Sequence, residues 1–202
     1  MEALDKQIWA LAYEAHPYHH STIGWRSDIE KVSIERLKQF YDDFYWPDNA
    51  TVSVVGGFDM KETLTMIAKE FGKHQKKKDA YLAVYTEEPK QEGERRATVS
   101  RAGNTDLIGI AHKIPAAMHT DIPALTILSL ILADGKTSRL YRALVDSALA
   151  IDVSTNCYQF HDPSLLMTYV TLTPHVPHLK IENLVKSEYC KVAEKGVSLS
   201  EL

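Results

Sequence analysis

The chain has 202 residues, 45% hydrophobic and 25% charged, with a formal net charge of -4, which places it among folded globular proteins and excludes a disordered or fibrous chain. Its 23 basic and 27 acidic residues offer no cationic face for a phosphate backbone, so nucleic acid is not an expected partner. Two cysteines, Cys157 and Cys190, neither in a CxxC pair, are too few for a disulfide framework or a thiolate zinc site.

The start, Met1 to Lys6, is acidic and then amphipathic, unlike the basic start and apolar core of a signal peptide. Over Ala3 to Glu14, apolar residues at Leu4, Ile8, Leu11 and Ala12 predict a helix that ends before His16-Pro17. A loop to Trp25 follows. Ser33 is then an N-cap with Arg36 at N3, half of a capping box, opening a helix whose apolar face is Ile34, Leu37, Phe40, Tyr41 and Phe44 and which stops at Trp46-Pro47. The β-branched run Ala50 to Val55, closed by Gly56-Gly57, predicts a buried strand. Asp59 caps a further helix with Leu64, Ile67, Ala68 and Phe71 inside and Gly72 just past its end.

From Lys73 to Glu94 the sequence is charged and aperiodic, and the basic run Lys73 to Lys78 reads as part of a solvated linker. Beyond it come strand-like runs at Arg96–Arg101 and Leu107–Lys113, and a helix over Asp121–Leu132. The apolar stretch Ala124 to Ala133 is interrupted by Thr126 and Ser129 and is far too short to span a bilayer. A helix near Ser138–Ser147, strands near Ile151–Tyr158 and Leu165–Thr173, and a helix from Leu179 to about Lys195 complete the pattern. Ser198 and Glu201 match a capping box that opens a helix, so the natural protein is expected to continue. These elements give an α+β protein in two pieces, residues 1–90 with a linker at about 73–94, and residues 95–202.

Several segments resemble, in order, the pitrilysin/insulinase-type zinc peptidase family. They are His16-Pro17-Tyr18 with Ile23-Gly24-Trp25, Phe44 to Ala50, Val54 to Asp59, Phe71-Gly72, and Gly135 to Tyr141 with Leu149-Ala150. Each motif alone is a common turn or helix boundary; six in one order, covering about the whole chain, are specific. The likeness extends to the bacterial half-length members, which often work as dimers of like or unlike chains. It implies two tandem α/β sandwich units, each an antiparallel or mixed sheet with helices packed on it and both truncated, forming one wall of a peptide-holding chamber.

The family's catalytic signature is H-x-x-E-H on a helix with a further glutamate downstream, two histidines and the glutamate holding zinc while the motif's own glutamate activates water. Neither H-x-x-E-H nor H-E-x-x-H occurs in the 202 residues. His16-Pro17-Tyr18-His19-His20 has its outer histidines in register, but His19 stands in the glutamate's place and Pro17 forces His16 out of helical conformation. In the family the zinc motif precedes the segment resembling His16-Pro17-Tyr18. The resemblance therefore implies a peptidase parent holding zinc and a 202-residue chain that holds none and is inactive alone, with no catalytic or metal residue of its own.

Some family members also carry an Arg and Tyr pair that contacts the substrate backbone; the corresponding stretch here carries Val145 and Ile151. The resemblance then implies a partner chain, like or unlike, that supplies the pair. Arg139 and Tyr141, on a helix after the Gly135 turn, are candidate peptide contacts, with packing or an interdomain contact as the stronger alternative. Tyr158, His161 and Asp162 end a predicted strand, where solvated roles outnumber catalytic ones, and no serine sits in a nucleophile elbow. Gly135-Lys136-Thr137 matches the end of a phosphate-binding loop, but that loop's first glycine would fall at Leu130, inside an apolar helix. The competing functional reading is a subunit of the same family that keeps the fold and has lost the zinc motif. A periplasmic or envelope location would need a signal peptide in the parent; otherwise the family reading implies the cytoplasm.

Overall fold

The computed structural model describes residues 1–74 and 85–201. Helices α1 (Glu2–Ala12), α2 (Arg26–Lys31), α3 (Ile34–Phe44) and α4 (Met60–Phe71) precede strand β1 (Leu107–Ile114). Helix α5 (Ile122–Ala133), strands β2 (Ala150–Cys157) and β3 (Ser164–Leu172), and helix α6 (His178–Lys195) follow. The chain divides into two compact units, Met1–Ser21 with Glu88–Leu202, and Thr22–Glu87.

The first unit is built on a three-stranded antiparallel sheet of order β1-β3-β2. A central strand with a helix layer on each face must be apolar throughout, and eight of the nine residues of β3 are buried. Leu165, Met167 and Tyr169 point to the face covered by α1, where they meet Ile8, Ala12 and Tyr13. Val170 and Leu172 point the other way, into a core with Leu132 of α5, Leu140, Leu144 and Ile181 and Val185 of α6. Thr168 is fully buried on that second face, and its hydroxyl is satisfied by Thr155 across the strand pair, at 2.9 Å, and by Tyr189 of α6.

Gly109 lets α1 approach the sheet. A Cβ built there would lie 2.4 Å from Ile8 Cδ1 and 3.4 Å from Leu4 Cδ2, so the first two turns of α1 sit on bare strand backbone. Residues 1–21 therefore group with 88–202, whereas the sequence reading placed them with the first piece. In α5, Thr126 and Ser129 donate their hydroxyls to the carbonyls of Ile122 and Thr126, so the interrupted apolar run is still a continuous helix.

In the second unit the expected caps form. Ser33 accepts from the Arg36 N–H at 3.3 Å and Asp59 from the Glu62 N–H at 2.8 Å. Arg26–Lys31, to which the sequence reading gave no element, forms the short α2. The strand expected at Ala50–Val55 is not formed: these residues are extended but pair with nothing among the described residues, and Val55 is 96% exposed. Neither α3 nor α4 buries a single residue, and Ile34 and Phe40 of the predicted inner face are 79% and 57% exposed. The amphipathic pattern is present, and among the described residues no layer covers it. Part of the expected linker, residues 75–84, lies outside the described residues.

Two further expectations are corrected in the first unit. Arg96–Arg101 forms no strand; the Arg96 side chain pairs with Glu94 and with Glu182 on α6, and the sheet among the described residues holds only β1, β3 and β2. The helix expected over Ser138–Ser147 is mostly a single wide π turn, Tyr141–Val145, which closes on the Asp146 N–H donating to the Tyr141 carbonyl at 3.1 Å.

Candidate functional site

The histidine cluster nearest to a metal pattern is occupied by local structure. His16 caps a short 3-10 turn, Pro17–His19, its Nδ1 accepting the Tyr18 N–H at 3.2 Å while its Nε2 lies 3.4 Å from Asp162. Both ring nitrogens are thus committed within the fold, whereas His19 and His20 are exposed and stack edge-on at 4.9 Å. Among the described residues no three His, Cys, Asp or Glu side chains gather to hold a metal ion. With both His16 nitrogens engaged and no carboxylate or thiolate among the described residues beside His19 and His20, this donor set does not fit zinc.

The Gly135–Tyr141 segment takes its shape from a left-handed glycine. Gly135 has φ +71, a conformation that a side chain would strain, and its carbonyl accepts the Ser138 N–H and hydroxyl. The turn brings Arg139 to the C-terminal end of the first unit. The guanidinium donates to both carboxylate oxygens of Glu201, at 2.6 and 2.9 Å, and to the Gly196 carbonyl at 3.1 Å. Glu201 also accepts the Ser198 N–H at 2.8 Å, the reciprocal half of the capping box read from the sequence. The Arg139 guanidinium, with the Ser198 N–H, holds the Glu201 carboxyl down at about 2, and Glu201 in turn raises Arg139. Tyr141 packs against the core formed by Leu140 and Leu144. The structure therefore separates the two candidates, Arg139 joined to residues 196–201 and Tyr141 laid on the core.

Val145 closes the π turn and is partly buried against the same core. Ile151 lies at a bulge, where the β2–β3 register shifts between Ala150 and Asp152, and it is 58% exposed. An apolar side chain held outward at a bulge offers van der Waals contact and no hydrogen bond to a peptide.

Tyr158, His161 and Asp162 come together at the end of the β2–β3 hairpin. The His161 ring lies 3.1 Å from one oxygen of Asp162, and the Asp162 N–H donates to the Tyr18 hydroxyl at 3.2 Å. Tyr158 joins Trp9, Tyr13, Tyr18 and Phe160 in an aromatic cluster with edge-on and stacked contacts 5.3–6.3 Å apart. Tyr158 thus serves as packing, whereas the His161 side chain is 94% exposed.

Sequence reasoning missed Glu88. It lies in a stretch without periodicity, yet its carboxylate accepts the N–H groups of Glu14 at 2.9 Å, Ala15 at 2.9 Å and His16 at 3.0 Å, with the Lys113 ammonium 3.4 Å away. Burial alone would raise its pKa, but the Glu14, His16 and Ala15 amides and Lys113 outweigh it and hold it at about 2. The three amides are more than 70 positions distant and Lys113 is 25 away, so no local signal marks it.

A family model described as the Peptidase M16 inactive domain matches residues 31–202. The chain is 30% identical over 199 residues to a zinc protease, PqqE, of Helicobacter pylori, a match that covers 97% of this chain and 45% of that protein. The crystal structure of a protease from Helicobacter pylori aligns with a TM-score of 0.93 at 29% identity, over 98% of this chain and 49% of that one. A peptidase M16 inactive domain from Pseudomonas fluorescens, 18% identical, shares the fold with a TM-score of 0.84, over 99% of this chain and 48% of that one. The chain thus spans about half the length of the relatives it matches.

Proposed function

The chain belongs to the Peptidase M16 inactive domain family, and on that premise we propose that it is the scaffold and chamber wall of a zinc-dependent endopeptidase whose metal site is carried by sequence outside residues 1–202. One observation carries this reading: the chain matches a zinc protease over 97% of its length and yet contains neither H-x-x-E-H nor H-E-x-x-H. The exposed apolar faces of α3 and α4 support it, as does the run Ala50–Val55, which pairs with nothing among the described residues, since an uncovered amphipathic helix layer suits one face of an incomplete sandwich. The protein is then two tandem α/β sandwich units, each incomplete in this chain. Its substrate is a peptide. A like or unlike partner chain supplies the Arg and Tyr absent at Val145 and Ile151.

Within that wall Arg139 tethers residues 196–201 and Tyr141 is packing; neither is assigned to the substrate, because Glu201 and the core already take up their contacts. The test is zinc content and cleavage of a quenched peptide by the complete natural polypeptide, with the 202-residue chain assayed beside it. Chelator-sensitive cleavage by the complete protein alone is the expected result. Cleavage by the 202-residue chain would refute the wall assignment. A complete protein without zinc or cleavage would establish the scaffold subunit in its place.

A further inference from the structure

The chain leaves the first unit after Ser21 and re-enters it at Glu88, so every residue of the second unit hangs between these two crossings. Glu88 is the first residue of the return crossing. Its side chain, 14% exposed, reaches back to the outgoing crossing and accepts three successive backbone N–H groups, those of Glu14, Ala15 and His16. Successive amides turned toward one point make an anion-binding concavity. Here the anion belongs to the protein itself.

The same crossings are tied again on either side of that contact. Arg95, seven residues into the return crossing, donates to the Leu11 carbonyl at the end of α1, at 2.7 Å, and pairs with Glu14. Farther along the outgoing crossing, His16 and Tyr18 are held to Asp162 on the β2–β3 hairpin. A carboxylate close to a helix C-terminus opposes the helix dipole, so Glu88 stays where it is through the three amides and Lys113.

We propose that Glu88 is a latch that closes the root of the 22–87 unit, locking its two chain crossings to each other and to the first unit's sheet. With the latch closed, the amides of Glu14, Ala15 and His16 are held to the start of the return crossing. With it open, the two crossings are joined only through Arg95 to Leu11 and Glu14, and residues 14–16 lose the carboxylate that holds their amides. The inference stands apart from the peptidase reading, since it concerns how this chain carries its insertion whatever the complete protein does.

The test places spin labels at His20→Cys and Gln91→Cys, one on each crossing, with Cys157 and Cys190 replaced by serine, and compares Glu88 with Glu88→Gln. Gln keeps the size and one acceptor oxygen but loses the charge that three amides share. The latch predicts one narrow distance distribution with Glu88 and a width at least about twofold greater with Glu88→Gln, together with about tenfold faster amide exchange at residues 14–16. Exchange in β3, which reports on global unfolding, should not change. Equal widths and equal exchange at 14–16 in the two proteins would overturn the latch. Should Glu88→Gln weaken the whole fold, as seen in β3, the decision passes to Lys113→Met, which leaves the three amide bonds in place: a partial broadening supports the latch, and none overturns it.

Discussion

Replacing Gly109 by alanine tests whether bare strand backbone is what seats α1. The added Cβ would lie 2.4 Å from Ile8 Cδ1, more than 1 Å inside an ordinary carbon–carbon contact of about 3.5–4.0 Å. Ile8 is buried between strand and helix, so relief comes either from forcing its side chain off its rotamer, at about 0.5–1.5 kcal/mol, or from shifting the helix. Overpacking of this kind costs about 1–3 kcal/mol, and the gain of about 0.4–1 kcal/mol from stiffening the unfolded chain offsets part of it. Gly109→Ala should therefore lose about 1–2 kcal/mol in urea unfolding. Ile8→Val alone removes the clashing methyl and should cost about 1 kcal/mol as a small cavity. In the double variant that methyl is gone, so the two losses should not add; the double variant should be no less stable than Gly109→Ala, a coupling of about 1 kcal/mol or more. Additive losses would refute the reasoning and mean that α1 does not rest on Gly109.

The remaining expectations are briefer. Glu88, held at about 2 against an ordinary 4.5, is depressed on folding, so its stabilisation is complete above pH 4.5 and is lost as the pH falls through 2. Lys113, Tyr13 and the Arg95–Glu14 pair face the same place, and after allowance for solvent screening the loss is about 2 kcal/mol; the stability gap between the natural chain and Glu88→Gln, measured by urea unfolding, should close between pH 5 and pH 2. Arg139→Met and Glu201→Gln should each speed amide exchange at residues 196–201, and the double variant should be no faster than either, because both remove one interaction. Ser164, fully buried at the start of β3, has a hydroxyl without a hydrogen-bond partner among the described residues, so Ser164→Ala should be neutral or stabilising by up to about 1 kcal/mol in thermal unfolding. Leu132→Ala, in the closed core, should cost about 3 kcal/mol, whereas Leu37→Ser on α3 should change the stability of this chain by no more than about 0.5 kcal/mol.

What the sequence made legible is what short range decides. The Ser33 and Asp59 caps and the Glu201 half of the Ser198–Glu201 box each depend on residues three apart, and each forms. The apolar run that became β3 was legible for a related reason, since a strand buried on both faces has no polar alternation to conceal it. The misses are non-local. Ala50–Val55 has the composition of a strand, but composition encodes compatibility with a ladder, and pairing needs a neighbour. Arg95 and Arg96 look like alternating strand positions, yet one reaches the end of α1 and the other reaches α6. The helix spacing over Ser138–Ser147 gave no hint of the π turn, because its closure depends on a later turn in which Ala148 takes φ 55 and the Leu149 N–H returns to the Leu144 carbonyl. Of the site, the family's missing zinc motif was readable directly, while the attachments of Arg139 and Glu88 were not, their partners lying 25 to 74 positions away.

The two units differ in a way that sets what their apolar residues are for. In the first, β3 has a helix layer on each face, and Val170, Ile181 and Val185 are fully enclosed, so the hydrophobic contribution is realised within the chain. In the second, the same grade of amphipathic helix leaves Ile34, Phe40 and Leu64 in solvent, and no residue of α3 or α4 is buried. Apolar side chains at helical spacing on well-capped helices are a poor arrangement for a free surface, since they add little to stability there and invite association. They are a good arrangement for a surface that is covered. Core substitutions in the first unit should therefore register in the unfolding of this chain, whereas substitutions on the exposed faces of α3 and α4 should leave that unfolding nearly unchanged.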